Sequence, residues 1–321
     1  FCSLLGKRVK GAGFLKTLLL RRIGSTIYAG RNTTEKMLNE WGNEVESIQS
    51  SNFEEEDDQQ TGSSNKKSMK DLTVKERSFL MQCLKALENN QERDPKYQKV
   101  IEYLIHQKWI KKGCIIFSQY FDSIWWLAKQ LSNELPDESI GIYAGGSNSG
   151  IIKTGNYQKT SRDNIKLKVG NGEIRLLLGT DAASEGLNLQ RLGTLINLDL
   201  PWNPTRLEQR KGRIQRIGQI QDTVLVYNMR YRGSVEDRVH ELLSDRLEDI
   251  FSLFGQIPDI LEDVWIDIAN GEIEKAKKLI NSVKPKHPFD ERYNQISDID
   301  WDSCSKVLDA DEKIKILLSR W

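Results

Sequence analysis

The sequence predicts an α/β fold built on a doubly wound, mostly parallel sheet. Two observations carry this prediction. Five short apolar runs occur between residues 114 and 231, and helical patterns separate most of them. The runs cover residues 114–118, 139–145, 173–180, 194–201 and 223–231. Nearly continuous apolar strands that alternate with helices are typical of a parallel sheet with both faces covered.

Composition limits the classes of function. The chain has 321 residues and a formal charge of +1, which suits one large or two medium domains. Its 47 basic and 46 acidic residues do not indicate general affinity for nucleic acid, so any basic site must be local. The four cysteines form no CxxC pair, and the three histidines are dispersed, so we expect no metal site, no disulfide framework and a cytoplasmic protein.

The ends of the chain carry few signals. No apolar run approaches the ~18 residues of a membrane span, and no signal peptide is present, so no membrane partner is expected. Because the sequence opens on Phe1 within a helical pattern, we expect it to belong to a longer protein.

The region before the apolar runs predicts helices. Apolar residues lie at helical spacing over residues 14–41 and again over 70–89. Between them, residues 46–70 are acidic and then rich in Ser, Gly and Asn, which indicates a loop or a disordered linker. Pro95 begins another helix that ends near Lys112. The expected units are therefore a helical part over 1–94 and an α/β lobe over 95–250.

Two later regions are less regular. Residues 147–172 are polar, and we expect a loop with one helix there. After Gly233 the pattern is again helical. Residues 251–321 are expected to form a helical tail that is interrupted by prolines.

A basic segment, EQRKGRIQRIGQ over residues 208–219, is predicted to be a helix. Asn203 is a candidate N-cap and Pro204 suits the first helical position. Arg213 and Arg216 lie three residues apart and would share one face. Gly212 costs about 1 kcal/mol relative to Ala inside a helix, so its presence needs a reason such as the close approach of a backbone or a phosphate. By charge alone, a solvated basic face is the favoured explanation of the segment.

A second segment, LLLGTDAASEGLNLQ over residues 176–190, begins as a buried strand and breaks at Gly179, Thr180 and Asp181. In doubly wound sheets, ligands bind outside the carboxyl ends of the strands. Thr180 and Asp181 are therefore placed where a site is expected.

Together these segments resemble a known family. GTDAASEGLNLQ is similar to motif V, and Gln209-Arg210-x-Gly212-Arg213-x-x-Arg216 to motif VI, of the second RecA-like lobe of superfamily 2 helicases. The ending RIGQ is of the SNF2 type, and the sequence is most similar to the bacterial RapA-like branch and to helicases of phage defence. IIFSQYFDSIWWL resembles motif IV, and LLLRR resembles the element that follows the first lobe.

The resemblance implies a set of site residues. Arg213 and Arg216 would be arginine fingers that neutralise charge on the γ-phosphate of ATP, bound with Mg. Asp181 would contact the ribose or link the nucleotide to the nucleic acid, while Thr180 would bind a strand phosphate. The residues implied on the ATP side are Gln209, Asp181, Gly212, Glu185 and Gly186. Those implied on the nucleic-acid side are Ser118, Gln119, Gly145, Gly146, Gly179 and Thr180.

One departure from the family limits the expected activity. The sequence has no G-x-x-x-x-G-K-[ST] phosphate loop, so we expect the ATP-binding lobe to precede Phe1 and this chain alone to be inactive. The expected partners are that N-terminal RecA-like lobe, double-stranded DNA, and proteins of a defence or transcription system. The alternatives are a non-catalytic scaffold or nucleic-acid-binding module and an RNA helicase lobe.

Overall fold

The computed structural model describes residues 1–5, 7, 12–39, 72–145, 148–181, 189–201, 204–216, 218–239, 264 and 266–282. The predicted acidic linker, the N-cap Asn203 and most of the predicted tail lie outside these residues. Within the described part, no helix is long and apolar enough to cross a membrane.

A seven-stranded sheet forms the centre of the fold, in the order β4-β3-β2-β5-β1-β6-β7. The strands are β1 (Cys114–Ser118), β2 (Ile140–Tyr143), β3 (Gly150–Lys153), β4 (Asn156–Lys159), β5 (Leu176–Thr180), β6 (Thr194–Asn197) and β7 (Leu225–Asn228). β2, β5, β1, β6 and β7 are mutually parallel. All five predicted strands are present, and the predicted doubly wound α/β class is confirmed.

The described helices lie between the strands in the chain and also before the first strand and after the last one. They are α1 (Cys2–Leu5), α2 (Ala12–Ser25), α3 (Ile27–Asn39), α4 (Val74–Asn90), α5 (Pro95–Ile101), α6 (Trp109–Lys112), α7 (Phe121–Glu134), α8 (Arg162–Asn171), α9 (Pro204–Ile214) and α10 (Ile273–Ser282). A π-helix over Glu102–His106 and the left-handed backbone of Lys108 (φ 59°) divide the single helix predicted from Pro95 to Lys112.

Helices cover both faces because side chains alternate along each strand. Cys114 and Ile116 of β1 pack in one buried cluster with α5, α6 and α7. Ile115 and Phe117 pack in a second cluster with α8 and with Ile214 of α9. A third cluster joins α1 to α4 and includes Leu15, Leu18, Met37 and Leu80.

The prediction for residues 147–172 was incomplete, since this interval also holds a hairpin. β3 pairs antiparallel with β2 and with β4, and α8 follows. Thr154 and Gly155 connect the two strands with φ values of 50° and 75°. Positive φ at both central residues suits a tight hairpin turn. All four residues of β4 are exposed, so the apolar pattern of a buried strand is missing there.

Candidate functional site

The carboxyl ends of β1, β5 and β6 meet at one edge of the sheet. Ser118 lies beside Thr180, and Phe117 lies beside both Gly179 and Asn197. This register brings the residues that follow the three strands into one small region. The sequence prediction that strand ends form the site therefore refers to a single place in the fold.

Arg210 occupies the centre of this region. It lies on α9, and only 1% of it is exposed. Its Nε and one terminal nitrogen donate to the two carboxylate oxygens of Asp181, at 2.5 and 2.7 Å. Its other terminal nitrogen donates to Asn197 Oδ1 and to the carbonyl oxygen of Asp199, each at 3.0 Å. One guanidinium thus fixes α9 to the ends of β5 and β6.

Asp199 is a second centre of polar contacts. It is fully buried. Its Oδ2 accepts hydrogen bonds from the hydroxyls of Ser25 and Ser118, both at 2.5 Å. Its Oδ1 accepts the backbone N–H of Gln119 at 2.9 Å. A buried carboxylate is stable only when donors surround it, and here the donors come from β1 and from the junction of α2 and α3.

The end of α2 covers the carboxyl edge of β1. Arg21 donates to Gln119 Oε1 at 2.7 Å, and Gln119 Nε2 donates to the carbonyl oxygen of Leu200 at 3.0 Å. Arg22 pairs with Asp122 at 3.1 Å and lies over the Tyr120 ring. The N-terminal helices are therefore part of the site, which the sequence did not indicate.

This cover corrects one expectation about the nucleic-acid side. Ser118 is fully buried and its hydroxyl donates to Asp199, so its side chain is not presented to a phosphate. Gln119 is partly exposed but uses its side-chain amide within the chain. Thr180 is 6% exposed. Gly179 is buried in β5, and Gly145 is partly exposed. Gly146 lies outside the described residues.

The ATP-side candidates divide into two groups. Both oxygens of Asp181 are bound by Arg210, so this carboxylate fixes the fold whatever else it contacts. Gln209 and Gly212 are exposed on α9, and no atom of another part of the described chain lies within 4 Å of a Cβ built on Gly212. Glu185 and Gly186 lie outside the described residues.

Arg213 and Arg216 do not share a helical face as predicted. α9 ends at Ile214, and Arg216 lies in the turn that follows, where its backbone N–H donates to the Ile214 carbonyl at 3.1 Å. Arg216 is exposed. Arg213 is partly exposed, and its Nε is shielded from solvent without a hydrogen-bond partner among the described residues.

Two charged residues near the site were missed by the sequence reasoning. Arg162 begins α8 and donates from Nε to the carbonyl oxygen of Ala144 at 3.0 Å, beside Gly145. Its only sequence signal is the N-cap Ser161 before it. Glu236 is 5% exposed, and one of its carboxyl oxygens has no hydrogen-bond partner among the described residues.

The pKa of Glu236 is raised to about 7. Burial is the largest cause. Lys96 lowers the pKa, Asp199 raises it, and Arg21 lowers it. The Lys96 ammonium donates to the carbonyl oxygens of Gly24 and Leu198, at 2.6 and 2.5 Å, so its hydrogens are largely engaged elsewhere. Glu236 is therefore a buried acid whose negative charge would be only weakly compensated by neighbouring donors.

Comparison with known families identifies the domain that contains these residues. Residues 95–218 match the helicase conserved C-terminal domain. These residues form a helicase conserved C-terminal domain. The match begins at α5 and ends just after α9, so it includes the Arg210 contacts and both candidate arginines. The RecA-like assignment of the α/β fold is thereby confirmed.

Relatives of the helicase domain are ATP-dependent helicases, RapA proteins and SNF2 proteins. An uncharacterized ATP-dependent helicase, YqhH of Bacillus subtilis strain 168, is 40% identical over 119 residues, which cover 37% of this chain and 21% of YqhH. RapA, the RNA polymerase-associated protein of Vibrio atlanticus, is 47% identical over 51 residues, or 16% of this chain and 5% of RapA. This chain thus spans about a fifth of YqhH.

A solved structure that is similar to part of this chain is the C-terminal part of the Fun30 ATPase domain. It is 19% identical, has a TM-score of 0.41, and covers 62% of this chain and 64% of its own length.

Proposed function

We propose that this chain is the second motor lobe of an ATP-dependent, SNF2-like DNA helicase or translocase. The observation that supports the proposal is that the arginines of α9 and of the turn after it differ in burial and in hydrogen bonding. Arg210 makes only internal contacts that fix α9, whereas Arg213 Nε has no hydrogen-bond partner among the described residues and Arg216 is exposed. A solvated basic face would not need one arginine buried against Asp181 to fix the helix that presents the others.

In this proposal Arg213 and Arg216 act as arginine fingers. Phosphoryl transfer spreads negative charge over the oxygens of the γ-phosphate, and a planar guanidinium can donate two hydrogen bonds to such a group. Within the described residues neither arginine forms an ion pair with a carboxylate, so both can neutralise charge on a phosphate. ATP with Mg would be held mainly by an N-terminal RecA-like lobe that faces α9, and Gln209 would add a polar contact.

The nucleotide site would then be complete only when the two lobes close. Gly212 supports this arrangement because the space beside it is open in the described part of the chain, and a Cβ there would meet nothing. A helix interior favours Ala over Gly by about 1 kcal/mol, so an open glycine is best explained by a surface that approaches from outside.

The proposed nucleic-acid ligand is duplex DNA, contacted through its phosphates. The candidate contacts are Thr180 and the backbone of Gly145, with Arg162 beside that loop, while Gly179 is buried between β1 and β2 and is not among them. Gln119 would contribute only if its bond to Arg21 opened. Arg22, above β1, is a further basic group on the same side of the sheet. Backbone and hydroxyl donors of this kind contact phosphates without reading the base sequence.

Two rival functions give different outcomes in one experiment. A scaffold module has no use for unpaired arginines, and its ATPase would not depend on them. An RNA helicase lobe would be stimulated by RNA rather than by duplex DNA. Protein partners from a transcription or defence system would bind elsewhere on the complete protein, and RapA, an RNA polymerase-associated protein, supports the first of these.

The test uses the complete protein with its nucleotide-binding lobe. Arg213→Ala and Arg216→Ala should each lower the kcat for ATP by about 10³, with little change in ATP affinity, as expected for an arginine finger. Lys211→Ala is the matched control, because Lys211 lies on the same helix and, among the described residues, forms an ion pair with Glu208 at the surface. It should leave kcat within about twofold.

Duplex DNA, single-stranded DNA and RNA are compared as stimulators in the same assay. Normal kcat in both arginine variants would refute the proposal, and stimulation by RNA alone would redirect it to an RNA helicase. The 321-residue chain by itself should hydrolyse ATP at no measurable rate.

A further inference from the structure

The junction of α2 and α3 is unusually polar for a buried segment. Ser25 and Thr26 are both fully buried. The Ser25 hydroxyl lies 2.5 Å from Asp199 Oδ2, 2.7 Å from Ser123 Oγ and 3.1 Å from Ser118 Oγ. Three hydroxyls and one carboxylate therefore meet beneath the last turn of α2.

The number of hydroxyl hydrogens determines which group donates and which accepts at each contact in this cluster. Asp199 is an acceptor, so the single hydroxyl hydrogens of Ser25 and Ser118 both go to its Oδ2. Ser25 can then only accept from Ser123, which lies 2.7 Å away. Ser123 has no further hydrogen and accepts from Thr26 at 2.9 Å. The chain of donors runs from Thr26 through Ser123 and Ser25 to Asp199.

Asp199, which these hydroxyls hold in place, also contacts Arg210. The Asp199 carbonyl oxygen accepts from Arg210 at 3.0 Å, and its Oδ1 lies 3.6 Å from the guanidinium. Arg210 in turn holds both oxygens of Asp181. The contacts from Ser25 to Asp181 are therefore continuous, fully buried at Ser25 and Asp199 and partly buried at Asp181.

We infer that Ser25 is a positioning residue, which fixes Asp199 and thereby the placement of Arg210, Asp181 and the α9 helix that carries Arg213. This inference rests on the proposed ATP hydrolysis. It makes the N-terminal helices part of the motor unit, although the family match begins only at residue 95. Neither Ser25 nor Asp199 touches the nucleotide in this arrangement.

The alternative is that Ser25 only stabilises the helix junction. Thr26 already serves that purpose, because its hydroxyl accepts the Ala29 N–H at 3.0 Å and caps α3. Ser118 offers a way to separate the two roles. It donates to the same oxygen of Asp199 but belongs to β1, so its removal loosens the carboxylate while the Ser25 and Thr26 hydroxyls remain, with the loss of one 3.1 Å contact to Ser25 Oγ.

The first test measures kinetics in the complete protein. Ser25→Ala and Ser118→Ala should each lower kcat about tenfold with KM for ATP within about twofold, because a small misplacement of a catalytic group costs one to two orders of magnitude in rate. The double variant should lose less than the product of the two single losses, since both act on Asp199. Thr33→Val is the control: its buried hydroxyl donates to the Ala29 carbonyl in α3, away from Asp199.

Thr33→Val should lower the melting temperature without lowering kcat. If Ser25→Ala and Thr33→Val give the same kcat, or if Ser118→Ala leaves kcat normal, the inference is wrong and Ser25 is only structural.

The second test is independent of ATP hydrolysis. Hydrogen–deuterium exchange of the 321-residue chain should show faster exchange in α9 (Pro204–Ile214) for Ser25→Ala, whereas Thr33→Val should affect α2 and α3 alone. Unchanged exchange in α9 would overturn the inference. Faster exchange in α9 combined with normal ATPase in Arg213→Ala would uphold the positioning role and refute the arginine-finger proposal instead.

Discussion

Glu236 makes the stability of the fold depend on pH, and its raised pKa determines the direction of that dependence. Its carboxyl group is buried beside Gly24, and the atoms of the carboxyl group lie 3.0 to 3.4 Å from a Cβ built on that glycine. The pKa is raised from an ordinary value of 4.5 to about 7. The folded protein therefore keeps a proton that the unfolded chain loses as pH rises from about 4.5 to about 7. Stability falls through this window and stays low above it.

The magnitude follows from the shift. One pKa unit corresponds to about 1.4 kcal/mol, so the rise to about 7 costs about 3 kcal/mol of unfolding free energy at pH 8. Glu236→Gln removes the ionisation and keeps the shape. The variant should match the wild type near pH 4.5 and exceed it by about 3 kcal/mol at pH 8. Denaturant unfolding of the 321-residue chain at four pH values measures this difference.

Asp237 is the matched control for this experiment. It is the neighbouring carboxylate and is also buried, but it pairs with Arg230 at 2.6 Å and accepts the Gly233 N–H at 2.7 Å. Asp237→Asn should therefore destabilise the chain at pH 8 by about 1 kcal/mol, the opposite sign. If Glu236→Gln gives the same advantage at pH 4.5 and pH 8, the gain does not come from ionisation and the reasoning is refuted.

Two further substitutions test the α9 contacts. Arg210→Ala should destabilise the chain by about 3–5 kcal/mol in urea unfolding, because Asp181 and Asn197 lose their buried donor, and a loss below about 1 kcal/mol would show that these contacts are weak. Gly212→Ala should stabilise the isolated chain by about 1 kcal/mol, since the added methyl group meets nothing, yet lower the ATPase of the complete protein at the lobe interface. Higher stability with unchanged ATPase would remove Gly212 from that interface.

The sequence predicted those parts of the fold whose cause is local. β1 was located to the residue because Cys114–Ser118 is buried on both faces and so is apolar throughout. The start of α9 at Pro204 followed from proline's preference for the first helical turn. β3 and β4 were missed because they form the outer hairpin of the sheet, and β4 is exposed throughout. An edge strand needs no apolar pattern, and the only local signal was the Thr154-Gly155 turn.

The sequence placed the candidate residues at the strand ends and on α9, but it could not predict their contacts. The sequence spacing treats Arg210, Arg213 and Arg216 as equivalent. Only their tertiary contacts show that they differ. Arg210 is buried because Asp181 and Asp199 follow β5 and β6, the two strands that flank β1, and no pattern within residues 208–219 contains that information. The helical face expected for Arg213 and Arg216 failed for a local reason, since α9 ends at Ile214.

The cover over β1 shows why strand ends alone do not define a binding surface. Ligands bind at the carboxyl edge of a doubly wound sheet because the strand ends leave unpaired polar groups there. At the end of β1 these groups are already satisfied, since Asp199 binds Ser118 and Ser25 from two different elements. Only a residue 174 positions away in sequence completes that arrangement, so the pattern of residues 114–118 could not reveal it. The remaining candidate contacts at this edge therefore lie toward β5 and β2, where Thr180 ends β5 and the Ala144 carbonyl, just before Gly145, accepts from Arg162.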